Sequence, residues 1–328
     1  MPCLVTAAWA AWRAANIPPA TSFAGPDLAA AIVKLGIRVP REARTAETLG
    51  VEREGTGIVI DDAGHILTIG YLLLEAESIL AVAGDGRVLP ACVAGFDHAT
   101  GFGLVRASQP LGCRPLEFGN AAAARELNTA VVAAHAAAGG LSDACIVARR
   151  PFTGWWEYAL DDAIFTAPAR DNHSGAALLN DTGQLIGIGS LWVGDAIDAG
   201  VAFPGNMFVP IDLLTPILAD LQTHGRRSGG ARPWLGIYSE ELHQHVVVTQ
   251  VLRDSPAERC GMRRGDIILA IGGQAIGSQA EFYHTLWASG AAGVEVTLQV
   301  WRNKSVREIV VQSMERLDYL RPWSAFAS

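Results

Sequence analysis

Charge is scarce in this sequence. Only 18% of its 328 residues are Asp, Glu, Lys or Arg, while 50% are hydrophobic, which excludes a disordered polyelectrolyte and leaves enough apolar material for sizeable cores. Basic residues are outnumbered, 25 against 33 acidic, for a formal charge of -8. With no long basic run to neutralise phosphates, nucleic acid is not an expected partner. Cysteine is also sparse. Cys3, Cys92, Cys113, Cys145 and Cys260 form an odd, scattered set without CxxC spacing, which fits reduced thiols better than a disulfide framework or a zinc site. The apolar stretch Leu4 to Ala11 has no basic residue before it and Arg13 close behind, so it lacks the charged start of a secretory signal. No apolar run reaches the ~20 residues of a spanning helix. These absences together predict a cytoplasmic protein with no membrane span.

What is present is patterned. The length predicts two domains rather than one. From about Ala30 to Asp220 the apolar runs are short, rich in Val, Ile and Leu, and broken by Gly, Asp or Pro, as in an all-β barrel or sandwich. Asp61-Asp62-Ala63-Gly64 and Asn180-Asp181-Thr182-Gly183 each separate two such runs, and their Asp, Asn and Gly residues supply hairpin geometry. Met207 to Leu221 carries helical spacing, ended by the Gly, Ser and Arg stretch from His224 to Gly230. Beyond it a small domain is expected, with strands around a helix from Ser278 to Ala288 and closing strands at Glu295 to Trp301 and Val306 to Gln312.

Gly55-Thr56-Gly57-Ile58-Val59-Ile60, Gly64-His65-Ile66-Leu67-Thr68 and Ser174-Gly175-Ala176-Ala177-Leu178-Leu179-Asn180 resemble the HtrA family of trypsin-like serine proteases. Trp234-Leu235-Gly236-Ile237 and the run from Ser255-Pro256-Ala257 to Arg264-Gly265-Asp266-Ile267-Ile268 resemble that family's PDZ module. The resemblance covers roughly Ala30 to Arg316. It implies a mainly β protein: an N-terminal segment (1–29), a trypsin-like double β-barrel (30–222), a linker (223–232), a PDZ domain of small α+β type (233–316) and a tail (317–328).

Such a protease activates a serine hydroxyl with an imidazole, itself oriented by a carboxylate. Carried over residue by residue, the histidine position falls on Tyr71. The aspartate position, after Asp97-His98-Ala99-Thr100, falls on Gly101. The serine survives as Ser174, but the family's Gly-Asn-Ser-Gly-Gly-Pro pattern has become Asn172-His173-Ser174-Gly175-Ala176-Ala177, so the oxyanion region at Asn172 and His173 is altered too. A phenol, with an unperturbed pKa near ~10, holds its proton at neutral pH and makes a poor base. In a subtilisin-type enzyme, loss of the histidine alone lowers turnover on the order of 10⁶-fold. The resulting expectation is a pseudoprotease with a vestigial Ser174. The alternative is an active HtrA-type serine endopeptidase with a rearranged site, for which His173 and His98 are the candidate bases.

A PDZ module does not depend on the triad. Its strand edge accepts an extended peptide by β-augmentation while backbone amides hold a terminal carboxylate. The expected peptide-binding residues are Trp234, Leu235, Gly236, Ile237, Tyr283 and Trp287. Phe282 and Leu286, four apart, are assigned to the core, leaving Tyr283 and Trp287 the more exposed. Trp155, Trp156 and Tyr158 fall where the family carries a variable loop; binding a partner and capping the barrel are both open to them, and core packing is the role expected. No metal or organic cofactor is expected. Expected partners are protein or peptide termini, with self-assembly (HtrA-type barrels commonly form trimers) or membership of a larger complex, in which the chain would serve as a scaffold or assembly factor. Trp9, Trp12 and Phe23 are the candidate N-terminal contacts, and the tail with Trp323 and Phe326 is left unplaced.

Overall fold

The computed structural model describes residues 26–135 and 140–321; Cys3, Trp9, Trp12, Phe23, Trp323 and Phe326 lie outside them. The chain divides into two compact units. Of the described residues, the first comprises 26–135, 140–150 and 162–226; the second comprises 151–161 and 227–321.

In the first unit, β1 (Ile32–Arg38), β2 (Glu52–Val59), β3 (His65–Ile69), β4 (Ser78–Val82), β5 (Val88–Phe96) and β6 (Phe102–Ala107) close an antiparallel barrel in the order β1-β2-β3-β6-β5-β4. A second closed barrel uses β7 (Thr129–Ala133), β8 (Leu141–Gly154), β9 (Tyr158–Ala167), β10 (Ala177–Leu179), β11 (Leu185–Val193) and β12 (Gly205–Pro210), ordered β10-β11-β12-β9-β8-β7. Closure leaves no open edges. Ile58, Ile66, Leu67, Phe102 and Leu104 fill the first barrel, and Ile164, Phe165, Leu178, Ile188 and Phe208 the second; all are fully buried. The two turns expected from Asp, Asn and Gly do join hairpins, with Val59 facing Ile66 and Leu178 facing Gly187.

One element departs from expectation. Met207 to Pro210 is strand, not helix, because Met207, Phe208 and Val209 pair with β11 and buried apolar side chains serve a central strand as well as a helix face. The helix forms later, at Leu218–His224, and ends on Gly225 in the left-handed conformation, where glycine carries no Cβ penalty.

The second unit is a sheet of β13 (Ile237–Leu242), β14 (His245–Val251), β15 (Ile267–Ile271), β17 (Glu295–Arg302) and β18 (Ser305–Gln312), in that order, with the short β16 (Gln274–Ala275) on β15. Its helix, Gln279–Ala288, is capped by Ser278, whose hydroxyl accepts from the Glu281 amide. Leu235, Ile237, Val248, Phe282, Leu286, Leu298 and Val300 build the core. A difference from the expected domain limits is that Pro151–Asp161, the end of the β8–β9 hairpin, clusters with this unit. Within it Tyr158 is buried, Trp155 meets Tyr238 edge-on, with centroids 4.4 Å apart, and Trp156 stacks on Tyr158.

Candidate functional site

Ser174 sits in the turn before β10. Its carbonyl accepts from the Thr56 amide at 2.9 Å, and the Gly175 amide donates to Gly189 at 2.8 Å, so strands β2 and β11 fix the turn from both sides. Gly175 is required here. Its φ is +74°, and a Cβ would meet the Thr56 carbonyl oxygen at 2.1 Å and Thr68 Oγ1 at 2.5 Å.

Tyr71, on the 3₁₀ turn Gly70–Leu73 after β3, reaches this serine. Its phenolic oxygen lies 2.7 Å from Ser174 Oγ and 2.9 Å from the carbonyl oxygen of Ser190. A phenol has one proton and a carbonyl only accepts. Satisfying both contacts therefore has Tyr71 donating to Ser190 and accepting from Ser174. Tyr71 is half-buried overall, and burial pushes its phenol up to about 12, with the Ser174 hydrogen bond opposing this. The partner of the serine hydroxyl is thus a neutral phenol that holds its own proton across the physiological range.

Gly101 lies next to this pair. Its carbonyl accepts from the Gly70 amide at 2.7 Å, immediately before Tyr71, and its φ is +84°. The Asp97 carboxylate accepts from the Thr100 amide and hydroxyl, at 2.9 and 2.6 Å, and so caps its own turn. Of the candidate bases, His173 donates Nδ1–H to the Arg170 carbonyl at 3.0 Å and is held below its ordinary range by burial. His98 packs near the Phe96 ring. Neither arrangement directs an imidazole at Ser174 Oγ.

Two supporting residues escape sequence reasoning. Arg53 is 6% exposed. Its guanidinium donates to the carbonyls of Tyr71 (3.1 Å) and Leu74 (2.9 Å) and to Thr45 Oγ1 (2.8 Å), which anchors the turn carrying Tyr71. Asn206 on β12 accepts from the Arg170 amide and donates to the Arg170 carbonyl, at 2.6 and 2.9 Å, and so holds the loop before Ser174. For Asn206 the available signal was a polar residue inside an apolar strand, which needs a partner when buried; Arg53, between Glu52 and Glu54, offered none.

The second unit holds a different site. The amides of Leu235, Gly236 and Ile237 converge on one carboxylate, that of Glu157, at 3.0, 2.8 and 3.0 Å. These expected peptide-binding residues present their amides, while the side chains of Trp234, Leu235 and Ile237 are buried. Tyr283 is fully buried, contrary to expectation, because residues 154–157 lie over it: its hydroxyl donates to the Gly154 carbonyl at 2.9 Å. Trp287 is half-buried, with the Arg232 guanidinium 4.1 Å from its ring centroid. Among the described residues no group of three or more His, Cys, Asp or Glu is placed to hold a metal, and no helix is long and apolar enough to cross a membrane.

Comparison with known proteins agrees with this layout. Residues 55–188 match the trypsin-like peptidase domain and 233–312 the PDZ domain. A probable periplasmic serine protease do/HhoA-like of Haemophilus influenzae is 27% identical over 272 residues, 78% of this chain and 57% of its own length. The serine endoprotease DegS of Escherichia coli K12 is 26% identical over 243 residues, 68% of this chain and 66% of its own. The chain thus spans between about half and two thirds of the curated relatives it matches. The word periplasmic in the first name points away from the cytoplasmic expectation. Among solved structures, the HtrA-type protease AlgW with a tripeptide shares the fold, at TM-score 0.53 and 22% identity, over 90% of this chain and 95% of that one. With both domain matches in order over the barrels and the second sheet, the chain belongs to the HtrA family, a trypsin-like peptidase domain followed by a PDZ domain.

Proposed function

We propose that this chain is a non-catalytic HtrA-like protein, a pseudoprotease whose working site is the PDZ groove, where it holds the carboxyl-terminal segment of a partner protein as a scaffold or assembly factor. The observation that carries the reading is Tyr71 at the position where the family places its base, sharing a 2.7 Å hydrogen bond with Ser174. General-base catalysis needs a group that accepts the serine proton near neutral pH, and a phenol held near 12 is mostly protonated there and very weakly basic. Gly101 supplies no carboxylate to orient a base. Three convergent amides at Leu235–Ile237 are suited to a carboxylate, and they function independently of Ser174.

A second reading, an active serine endopeptidase, is favoured by the retained Ser174 and by the names of the relatives. Reaction with a fluorophosphonate serine probe, alongside digestion of unfolded casein and a Ser174→Ala control, separates the two. The pseudoprotease reading expects neither labelling nor cleavage by folded protein. Labelling and cleavage that disappear in Ser174→Ala would sink it.

A further inference from the structure

The PDZ carboxylate cradle already contains a carboxylate, and it comes from this chain. Glu157 is 2% exposed, with its oxygens at 2.8–3.0 Å from the amides of Leu235, Gly236 and Ile237. The cradle is built for this. Gly236 takes φ +84°, and a Cβ there would lie 2.3 Å from Ser255 Cβ, so only glycine lets the three N–H groups converge.

The likeness to a bound peptide extends along the main chain. Two residues before Glu157, the Trp155 carbonyl accepts from the Ser239 amide at 3.0 Å. Ser239 lies two residues beyond the cradle on β13, the edge strand of the sheet. An extended peptide adding to that edge by β-augmentation uses the same donor. Tyr283 Oη receives the Glu157 amide at 3.1 Å and donates to the Gly154 carbonyl, and Arg316 Nη1 donates to the Trp156 carbonyl at 3.2 Å. All these residues belong to the second unit.

The seating carries signs of a replaceable occupant. Glu157 has φ +56° and is the left-handed residue that closes the three-residue turn between β8 and β9, where glycine is the usual occupant. Burial raises its carboxyl to about 7 despite the three amides. A chain-terminal carboxylate offers the same two oxygens without that backbone conformation.

We propose that Glu157 is an internal ligand of the PDZ groove, so that a partner's free C-terminus binds by displacing residues 154–157 from the cradle and from the β13 edge. The inference deepens the reading of the groove as a peptide site and rests on it.

The test is fluorescence anisotropy with the dye-labelled tetrapeptide Gly-Trp-Trp-Val, as free acid and as C-terminal amide, titrated with the full chain, Glu157→Ala and Trp155→Ala. Trp155→Ala removes the ring contact with Tyr238 without touching the cradle, so it covers the case of a misfolded Glu157→Ala. Hydrogen exchange of the Leu235–Ile237 amides is followed in parallel. The expected result is at least tenfold tighter binding of the free acid to either variant than to the wild type, with no gain for the amide. Equal measurable affinity in all three proteins overturns the internal-ligand inference and leaves the groove a peptide site. No binding to a folded variant whose 235–237 amides exchange freely overturns the peptide-site reading itself. No binding with those amides still protected makes the hairpin a fixed wall and overturns the inference.

Discussion

Tyr71 and Ser174 stand 103 positions apart in the chain and share a 2.7 Å hydrogen bond. Both ends of that bond are held by backbone contacts. Arg53 fixes the turn under Tyr71, and Thr56 fixes the carbonyl of Ser174. The fold thus holds the serine hydroxyl and the phenol in one fixed geometry.

Replacing Tyr71 separates geometry from chemistry. Tyr71→Phe leaves the Ser190 carbonyl and the Ser174 hydroxyl without their phenolic partner and is expected to cost about 1 kcal/mol in urea unfolding. It creates no base, so fluorophosphonate labelling should stay at background. Tyr71→His places an imidazole on the same turn and should raise labelling above Tyr71→Phe. Equal labelling of the two variants would show that the serine environment, rather than the missing base, is limiting.

Restoring the carboxylate is a different matter. Gly101 holds φ +84°, where an L-residue costs roughly 1–2 kcal/mol. Gly101→Asp is therefore expected to lower stability by about that amount, measured by thermal or urea unfolding, and to add nothing to labelling in a Tyr71 background. A neutral effect on stability would mean the turn relaxes out of the left-handed region.

How far the sequence could be read follows from which partners are local. Asp61 to Gly64 and Asn180 to Gly183 are turns whose chemistry sits within four residues, and both hairpins were legible. Tyr71, Gly101 and Ser174 were each singled out from a short motif, and of these the structure hydrogen-bonds Tyr71 to Ser174. Met207 to Pro210 was misread because Ile211, Leu214, Leu218 and Leu221 continue a helix-like spacing, and only pairing with β11 and β9 makes the segment a strand. Glu157 was invisible, since its acceptor role depends on amides 78 to 80 positions away. The burial of Tyr283 was missed for the same reason, because the residues covering it come from the β8–β9 hairpin.

Glu157 also ties stability to pH. Its carboxyl is raised from an ordinary 4.5 to about 7, chiefly by burial, against the pull of the three amides and of Arg316. Tyr283 and Tyr238 face the same region and are raised by burial, so they stay neutral over this range, while burial lowers the Arg316 guanidinium against the pull of Glu157. Between 4.5 and 7 the folded state keeps a proton that the unfolded chain has lost. The stabilising contribution is therefore complete below about pH 4.5 and lost as pH rises through 7. Denaturant unfolding of wild type and Glu157→Gln should show the wild type losing stability relative to the variant from pH 5 to pH 8. A constant difference would place the Glu157 carboxyl at its ordinary value.

Arg53 offers the sharpest test of how the candidate site is supported. Burial lowers its guanidinium to about 10, against the opposing influence of Glu75. The arginine nonetheless remains charged at neutral pH while donating to the carbonyls of Gly50, Tyr71 and Leu74 and to Thr45 Oγ1. Glu75, 3% exposed, is held by the Thr45 amide and hydroxyl, both at 2.7 Å. The two charges meet through the Thr45 hydroxyl, which accepts from Arg53 and donates to Glu75, and removing the arginine leaves a buried carboxylate without its nearby opposite charge, at a cost of up to about 3–5 kcal/mol. Arg53→Met is expected to destabilise the chain by that order in urea unfolding. Arg53→Met with Glu75→Gln should recover part of the loss, because no uncompensated carboxylate then remains. If the double variant is as unstable as the single one, the arginine acts by holding the carbonyls of the Tyr71 turn rather than by pairing with Glu75.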